Sequence, residues 1–185
     1  MRVITGTARG RRLKELAGQE TRPTTDRVKE GIFSSIQFDI EGRRVLDLFA
    51  GTGQLGIEAL SRGAASAVFV EQRRDAAALI RENLALTDLA GRARVVVGDA
   101  FAFLSSSRET FDLIFLDPPY AANLWETALE SISRFDILRN HGIIICEAPL
   151  ERELPPLAPP YFIHRTYRYG RIKTTAYHRE EAGQA

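Results

Sequence analysis

The sequence predicts an α/β fold: a mainly parallel sheet of seven strands with helices on both faces and an antiparallel hairpin at the C-terminal end. Three observations carry this expectation. Short apolar runs at 45–49, 67–71, 94–97, 113–117 and 143–147 each end in a polar or glycine-rich turn, the pattern of strands buried on both faces. Helix-like segments lie between them at 54–62 and 75–86, the second with Ala77, Ile80 and Leu84 on one side. Two further β-rich runs, 161–167 and 172–177, are joined at Tyr169 and Gly170, where a tight turn is expected. Repeated βα units need right-handed crossovers, which place helices on both faces of the sheet.

Ahead of the sheet, residues 2–5 and 11–16 read as a small glycine-turned ribbon. A helix over 25–36 follows, with Val28, Ile32 and Ile36 spaced to pack on the main body. The organisation expected is an N-terminal extension over 1–40, one catalytic domain over 41–179 and a disordered tail over 180–185. A chain of 185 residues has room for a single core of ordinary size. Pro155, Pro156, Pro159 and Pro160 make the one linker-like segment. Cys146 follows three isoleucines and has no second cysteine to pair with, so a core position is expected. His141, His164 and His178 show no ligand spacing, and no metal is expected. No run approaches the roughly 20 apolar residues of a membrane span, and the basic N-terminus lacks the apolar segment of a secretory signal. The reading is a cytoplasmic protein without membrane contact.

The net charge of +1 conceals segregation. Residues 1–29 carry +5 and residues 161–179 carry +5 with no acid at all, whereas 30–160 carry −7. Basic ends around an acidic middle suggest a polyanion held by the terminal segments. Of the 25 basic residues 22 are arginine, whose planar fork suits phosphate.

Ligands of open parallel sheets bind at the carboxyl ends of the strands. There the sequence places DLFAGTGQLG over 47–56, a glycine loop between a strand and a helix. Gly51, Gly53 and Gly56 allow a tight turn and close approach of a ligand. A nicotinamide dinucleotide is one reading, because Glu71 ends the second strand and could bind a ribose diol. Asp47 turns the expectation elsewhere: its charge would oppose a pyrophosphate but attract a sulfonium or ammonium. Asp99, at the end of the third strand unit, can accept from an adenine amino group, or simply cap a helix. Asp47, Glu71 and Asp99 thus match the methionine, ribose and adenine parts of a cationic nucleoside.

The fourth strand runs into Asp117, Pro118, Pro119 and Tyr120. The Asp117 carboxylate and the Pro118 carbonyl can accept the two hydrogens of a planar amino group, the prolines stiffen the loop, and Tyr120 can stack on a base. These four are the expected catalytic residues.

With these motifs in place, the chain resembles the RsmD family of bacterial 16S ribosomal RNA guanine-N2 methyltransferases, nearly end to end. TGTARGRRL over 5–13, RPTTDRVKEGIF over 22–33, ALSRGA over 59–64 and YGRIK over 169–173 look like family segments. The resemblance implies a class I S-adenosylmethionine-dependent methyltransferase fold of Rossmann-like type. It implies S-adenosylmethionine as donor, S-adenosylhomocysteine as product, and N2 of one guanine, position 966 in helix 31 of 16S rRNA, as acceptor. The partner would be the small ribosomal subunit or an assembly intermediate, and the protein a monomer. The cofactor set is Asp47, Phe49, Gly51, Gly53, Gly56, Glu71, Asp99 and Ala100. The RNA set is Arg9, Arg11, Arg12, Arg22, Arg27, Arg168 and Arg171. Thr52, Gln54 and Gly31 depart from the common Ser, Ala and Ala, and Gly31 is expected to weaken its helix by ~1 kcal/mol. An adenine-N6 methyltransferase, a nicotinamide-dependent oxidoreductase and a non-catalytic ribosome assembly factor are the alternatives.

Overall fold

The computed structural model describes residues 1–16, 25–119 and 124–181. Helix α1 (Asp26–Ser35) is followed by β1 (Arg44–Leu48), α2 (Gln54–Ser61), β2 (Ser66–Glu71), α3 (Arg74–Thr87), β3 (Ala93–Val97), α4 (Ala100–Ser106), β4 (Phe111–Leu116), α5 (Leu124–Arg134), β5 (Leu138–Pro149), β6 (Tyr161–Tyr169) and β7 (Ile172–Arg179). The sheet order is β3-β2-β1-β4-β5-β7-β6. Neighbours pair in parallel from β3 through β5, while β7 lies antiparallel to both β5 and β6.

Side chains alternate between faces along each strand, so the sheet separates two apolar clusters. Val45, Phe69, Phe115 and Ile145 join α1, α2, α3 and the N-terminal turns on one face. Leu46, Val70, Ile114 and Cys146 join α4 and α5 on the other. Cys146 is buried as expected.

The N-terminal ribbon is minimal, a single bridge between Arg2 and Arg12 with Val3 N–H donating to Arg11 O at 3.0 Å. Its turn is docked on α2, where Thr7 N–H donates to Ser61 O at 2.8 Å and Ala8 N–H to Ser61 Oγ at 3.0 Å. Gly6, at φ +87°, makes this contact feasible, since a Cβ there would fall 1.8 Å from Ser61 O. Thr25 caps α1, its side chain accepting from Val28 N–H at 3.3 Å, and Ile36 closes the helix.

Several expectations shift. The strand read at 143–147 extends to Leu138–Pro149, with Leu138 pairing Phe111 ahead of the apolar run and a register shift before Ile143 pairs Leu113. β3 is half-buried rather than fully buried, being an edge strand with one neighbour. Helices α4 and α5 have no counterpart in the initial pattern, although α5 buries Trp125, Ala128, Leu129 and Ile132 at helical spacing. The proline-rich segment is not a loose linker: Leu154 and Leu157 pack on the second cluster and Pro155 O accepts from Tyr177 Oη at 2.8 Å.

Candidate active site

The site lies along the carboxyl ends of four adjacent strands, and strand alternation decides what faces it. Asp47 is level with Phe69 and with Phe115. Two residues beyond each of those stand Glu71 and Asp117, while the pairing of Leu116 with Cys146 sets Asp117 level with Glu147. Glu71, Asp47, Asp117 and Glu147 therefore form a row on one face, ending β2, β1, β4 and β5. Glu147, 3% exposed, is the member sequence reading missed. Its signal was its place at the polar end of the fifth apolar run, but its pairing with β4 is a tertiary fact.

Two of these carboxylates brace the glycine loop. Asp47 Oδ2 accepts from Gly56 N–H at 2.8 Å in the first turn of α2. Glu71 accepts through Oε2 from Gly51 N–H and through Oε1 from Arg73 N–H, both at 2.8 Å. Carboxylate oxygens offer about four acceptor sites, so Glu71 keeps capacity for a diol. The loop is bent by residues in the left-handed region: Phe49 at φ 68°, Gly51 at 55° and Gly53 at 78°. Phe49, without the glycine's freedom, holds this conformation against Phe101, ring centroids 6.0 Å apart. A Cβ on Gly51 would meet nothing within 4 Å, so the loop faces open space there, whereas one on Gly56 would meet Phe69 at 2.3 Å. Gly56 serves helix-on-sheet packing.

Asp99 caps α4, its Oδ1 accepting from Ala102 N–H at 2.8 Å. The cap reading holds, and the exposed carboxyl keeps free acceptor sites. Ala100 is buried in the first turn of that helix.

Electrostatics concentrate at the middle of the row. Burial pushes the Asp47 carboxyl up to about 7, opposed by the Gly56 N–H and reinforced by Glu71. Burial, then Glu147, then Asp47 raise Asp117 well above the usual carboxylate range. Among the described residues no hydrogen bond reaches the Asp117 side chain. Carboxylates crowded in this way favour a bound cation, which would return them to the ionised form. Pro118 is buried and Pro119 exposed.

The arginines divide. Arg9, Arg12, Arg27, Arg168 and Arg171 are exposed and form no ion pair among the described residues. Arg11 is engaged, its Nη1 donating to Leu86 O at 2.6 Å at the end of α3. Arg22, Tyr120 and residues 182–185 of the expected tail lie outside the described residues. Among the described residues no group of three or more ligating side chains could hold a metal ion.

The sheet order and its one reversed strand, with a carboxylate-braced glycine loop after β1, are those of the class I, Rossmann-like methyltransferase fold. The family model described as "Conserved hypothetical protein 95" matches residues 1–178. The chain belongs to this family, the RsmD family. Over 185 residues, 100% of this chain and 93% of the relative, it is 36% identical to ribosomal RNA small subunit methyltransferase D of Escherichia coli K12. Identity is 44% over 173 residues with YlbH of Bacillus subtilis strain 168, named as a candidate rRNA methyltransferase, covering 92% and 94% of the two chains. The solved structure of the E. coli protein yhhF, described as a candidate methyltransferase, superposes with TM-score 0.89 at 35% identity over 98% and 99% of the chains.

Proposed function

We propose that the protein methylates the exocyclic N2 of one guanine, position 966 in helix 31 of 16S rRNA, acting as a cytoplasmic monomer on the small subunit or an assembly intermediate. The observation that carries the reading is the Asp117 carboxyl, raised in pKa and without a hydrogen-bond partner among the described residues, at the rim of β4 beside buried Pro118. The printed name of the E. coli relative supports the small-subunit substrate.

The glycine loop and carboxylate row fit the donor. The open space before Gly51 admits a ligand, Glu71 lies against that loop for a ribose, Asp99 with Ala100 serves adenine, and Asp47 adds negative charge for the cationic end. Bound there, S-adenosylmethionine supplies an electrophilic methyl group on a positively charged sulfur. Asp117 in its ionised form accepts one N–H of the guanine amine and the Pro118 carbonyl accepts the other, orienting the nitrogen lone pair. As the nitrogen gains its methyl, positive charge develops beside Asp117 and Glu147, which stabilise it. The amine then releases one proton, for which Asp117 is the adjacent acceptor. Tyr120 stacks on the base, which must be unstacked to expose its amine. The extension 1–40 completes the RNA face, while 41–179 carries the chemistry.

The test is mass spectrometry of small-subunit RNA from cells lacking the protein: one N2-methylguanine disappears and returns on complementation. An unchanged methylation pattern, or a lost methyl on adenine N6, overturns the reading.

A further inference from the structure

We propose that the β6–β7 hairpin carries a second RNA contact, a strip that holds an unpaired run of bases leading away from the target pocket. The inference rests on the rRNA methyltransferase reading and extends it to residues outside the active site.

Strand β6 is the outer edge of the sheet. Its pairing with β7 sets Phe162 opposite His178, Arg165 opposite Ala176, Tyr167 opposite Thr174 and Tyr169 opposite Ile172. Ala176 and Ile172 face the cluster covered by α1, so these β6 residues share that face. The register shift between Ile163 and Arg165 lets His164 turn to it as well, where its ring stacks on His178 at 4.3 Å between centroids. Phe162 stands 5.8 Å from His178 and 6.4 Å from His164, and is 38% exposed. The Arg165 guanidinium lies 6.0 Å from the Tyr167 ring. The result is a row of rings at Phe162, His164, Tyr167 and Tyr169 with Arg165 among them.

Charge selects the occupant. Residues 161–179 contain five Arg and Lys and no acid; Lys173 and Arg179 pair with Glu153 and Asp136, whereas Arg165 on this face and Arg171 in the turn are exposed without ion pairs among the described residues. Asp39 is the carboxylate that acts on His178, and it lies within ion-pair distance of Arg43. An apolar partner would leave these arginines without counter-charge and an acidic peptide would leave the rings without a stacking partner, whereas single-stranded RNA supplies phosphates to the one and bases to the other. The strip also has an origin at the site: Thr174 pairs with Glu147 of the carboxylate row, and the Tyr169 ring sits against α1 in the space left by Gly31, whose missing Cβ would fall 2.2 Å from the phenol oxygen.

Anisotropy with a fluorescent oligouridine tests the strip on the full chain. Phe162→Ala with Tyr167→Ala is expected to weaken binding about tenfold per ring. Arg165→Gln is expected to lower the slope of log affinity against log salt by about 0.7. Circular dichroism and S-adenosylhomocysteine affinity should match the unsubstituted protein in both variants. Unchanged oligouridine affinity and slope, equal affinity for an RNA duplex, or photocrosslinks from position 162 of small-subunit complexes to ribosomal protein rather than RNA would each overturn the proposal. The guanine-N2 reading fails separately, if the unsubstituted protein transfers no methyl to small subunits.

Discussion

Burial opposes ionisation at Asp47 and Asp117, and the two positions predict different things. At Asp117 the proposed mechanism assigns the charge to the reacting amine. Asp117→Ala is expected to lower the rate of methyl transfer by about 100-fold or more while calorimetry finds S-adenosylhomocysteine binding within a few-fold of the unsubstituted protein. Retained transfer would remove Asp117 from the chemistry. At Asp47 the charge bears on stability. Its pKa in the folded chain, about 7, lies above the ordinary 3.8, so the folded state binds the proton more tightly. That stabilisation is complete below about pH 4 and is lost as pH rises through about 7. Asp47→Asn keeps an acceptor for Gly56 N–H without the charge. It is expected to be more stable than the unsubstituted chain at about pH 8, by roughly 4 kcal/mol, an advantage that shrinks to under about 1 kcal/mol at about pH 4. Thermal unfolding at the two pH values checks this, and an advantage equal at both would assign it to packing instead.

Helix α2 is the element on which the glycine loop and the N-terminal turns converge. Its first turn packs so closely on β2 that the Cβ of Gly56→Ala would meet the fully buried Phe69 ring. A cost of about 1–3 kcal/mol in chemical denaturation is expected, with weaker S-adenosylhomocysteine binding because the loop is anchored through the same residue's N–H. Two residues further, Glu58 accepts from Ile4 N–H at 2.8 Å, Thr5 N–H at 3.0 Å and Arg62 Nε at 2.8 Å. Lys29 of α1 stands 3.9 Å from it, both side chains fully buried, and donates to Arg2 O. Burial lowers the Lys29 pKa, and Glu58 opposes that shift. Lys29→Ala removes one partner of a buried pair and is expected to destabilise by about 3–5 kcal/mol. Hydrogen exchange should show first loosening in the N-terminal turns. Gly31 illustrates a sequence expectation that the fold reverses: the residue that weakens α1 by propensity is the one that admits Tyr169.

For the whole molecule, the sequence puts basic blocks on either side of an acidic middle, and the arginines without ion pairs among the described residues are the ones available to phosphate. Arg9→Gln with Arg12→Gln is expected to weaken small-subunit binding evenly across RNA sequences and to lower the salt slope by about 1.4 to 1.8. An unchanged slope would show that these side chains touch no phosphate. Arg11, committed to Leu86 O, is the poorer choice for that experiment. It also shows why charge counting alone cannot choose among neighbouring arginines.

Periodicity and turn chemistry are local properties, and they determined the βα alternation, the glycine loop at Gly51 and Gly53, the helix that begins near Thr25 and the proline-stiffened end of β4. Those features depend on residues a few positions apart, so one dimension suffices to read them. The tertiary structure decided what depends on strand register and side-chain orientation: that Glu147 stands beside Asp117, that Asp47 and Glu71 brace the loop, that His164 stacks on His178, and that Glu58 ties the first residues to α2. Each of these joins positions far apart in the chain, and a register different by one residue would have sent the same side chains to the opposite face.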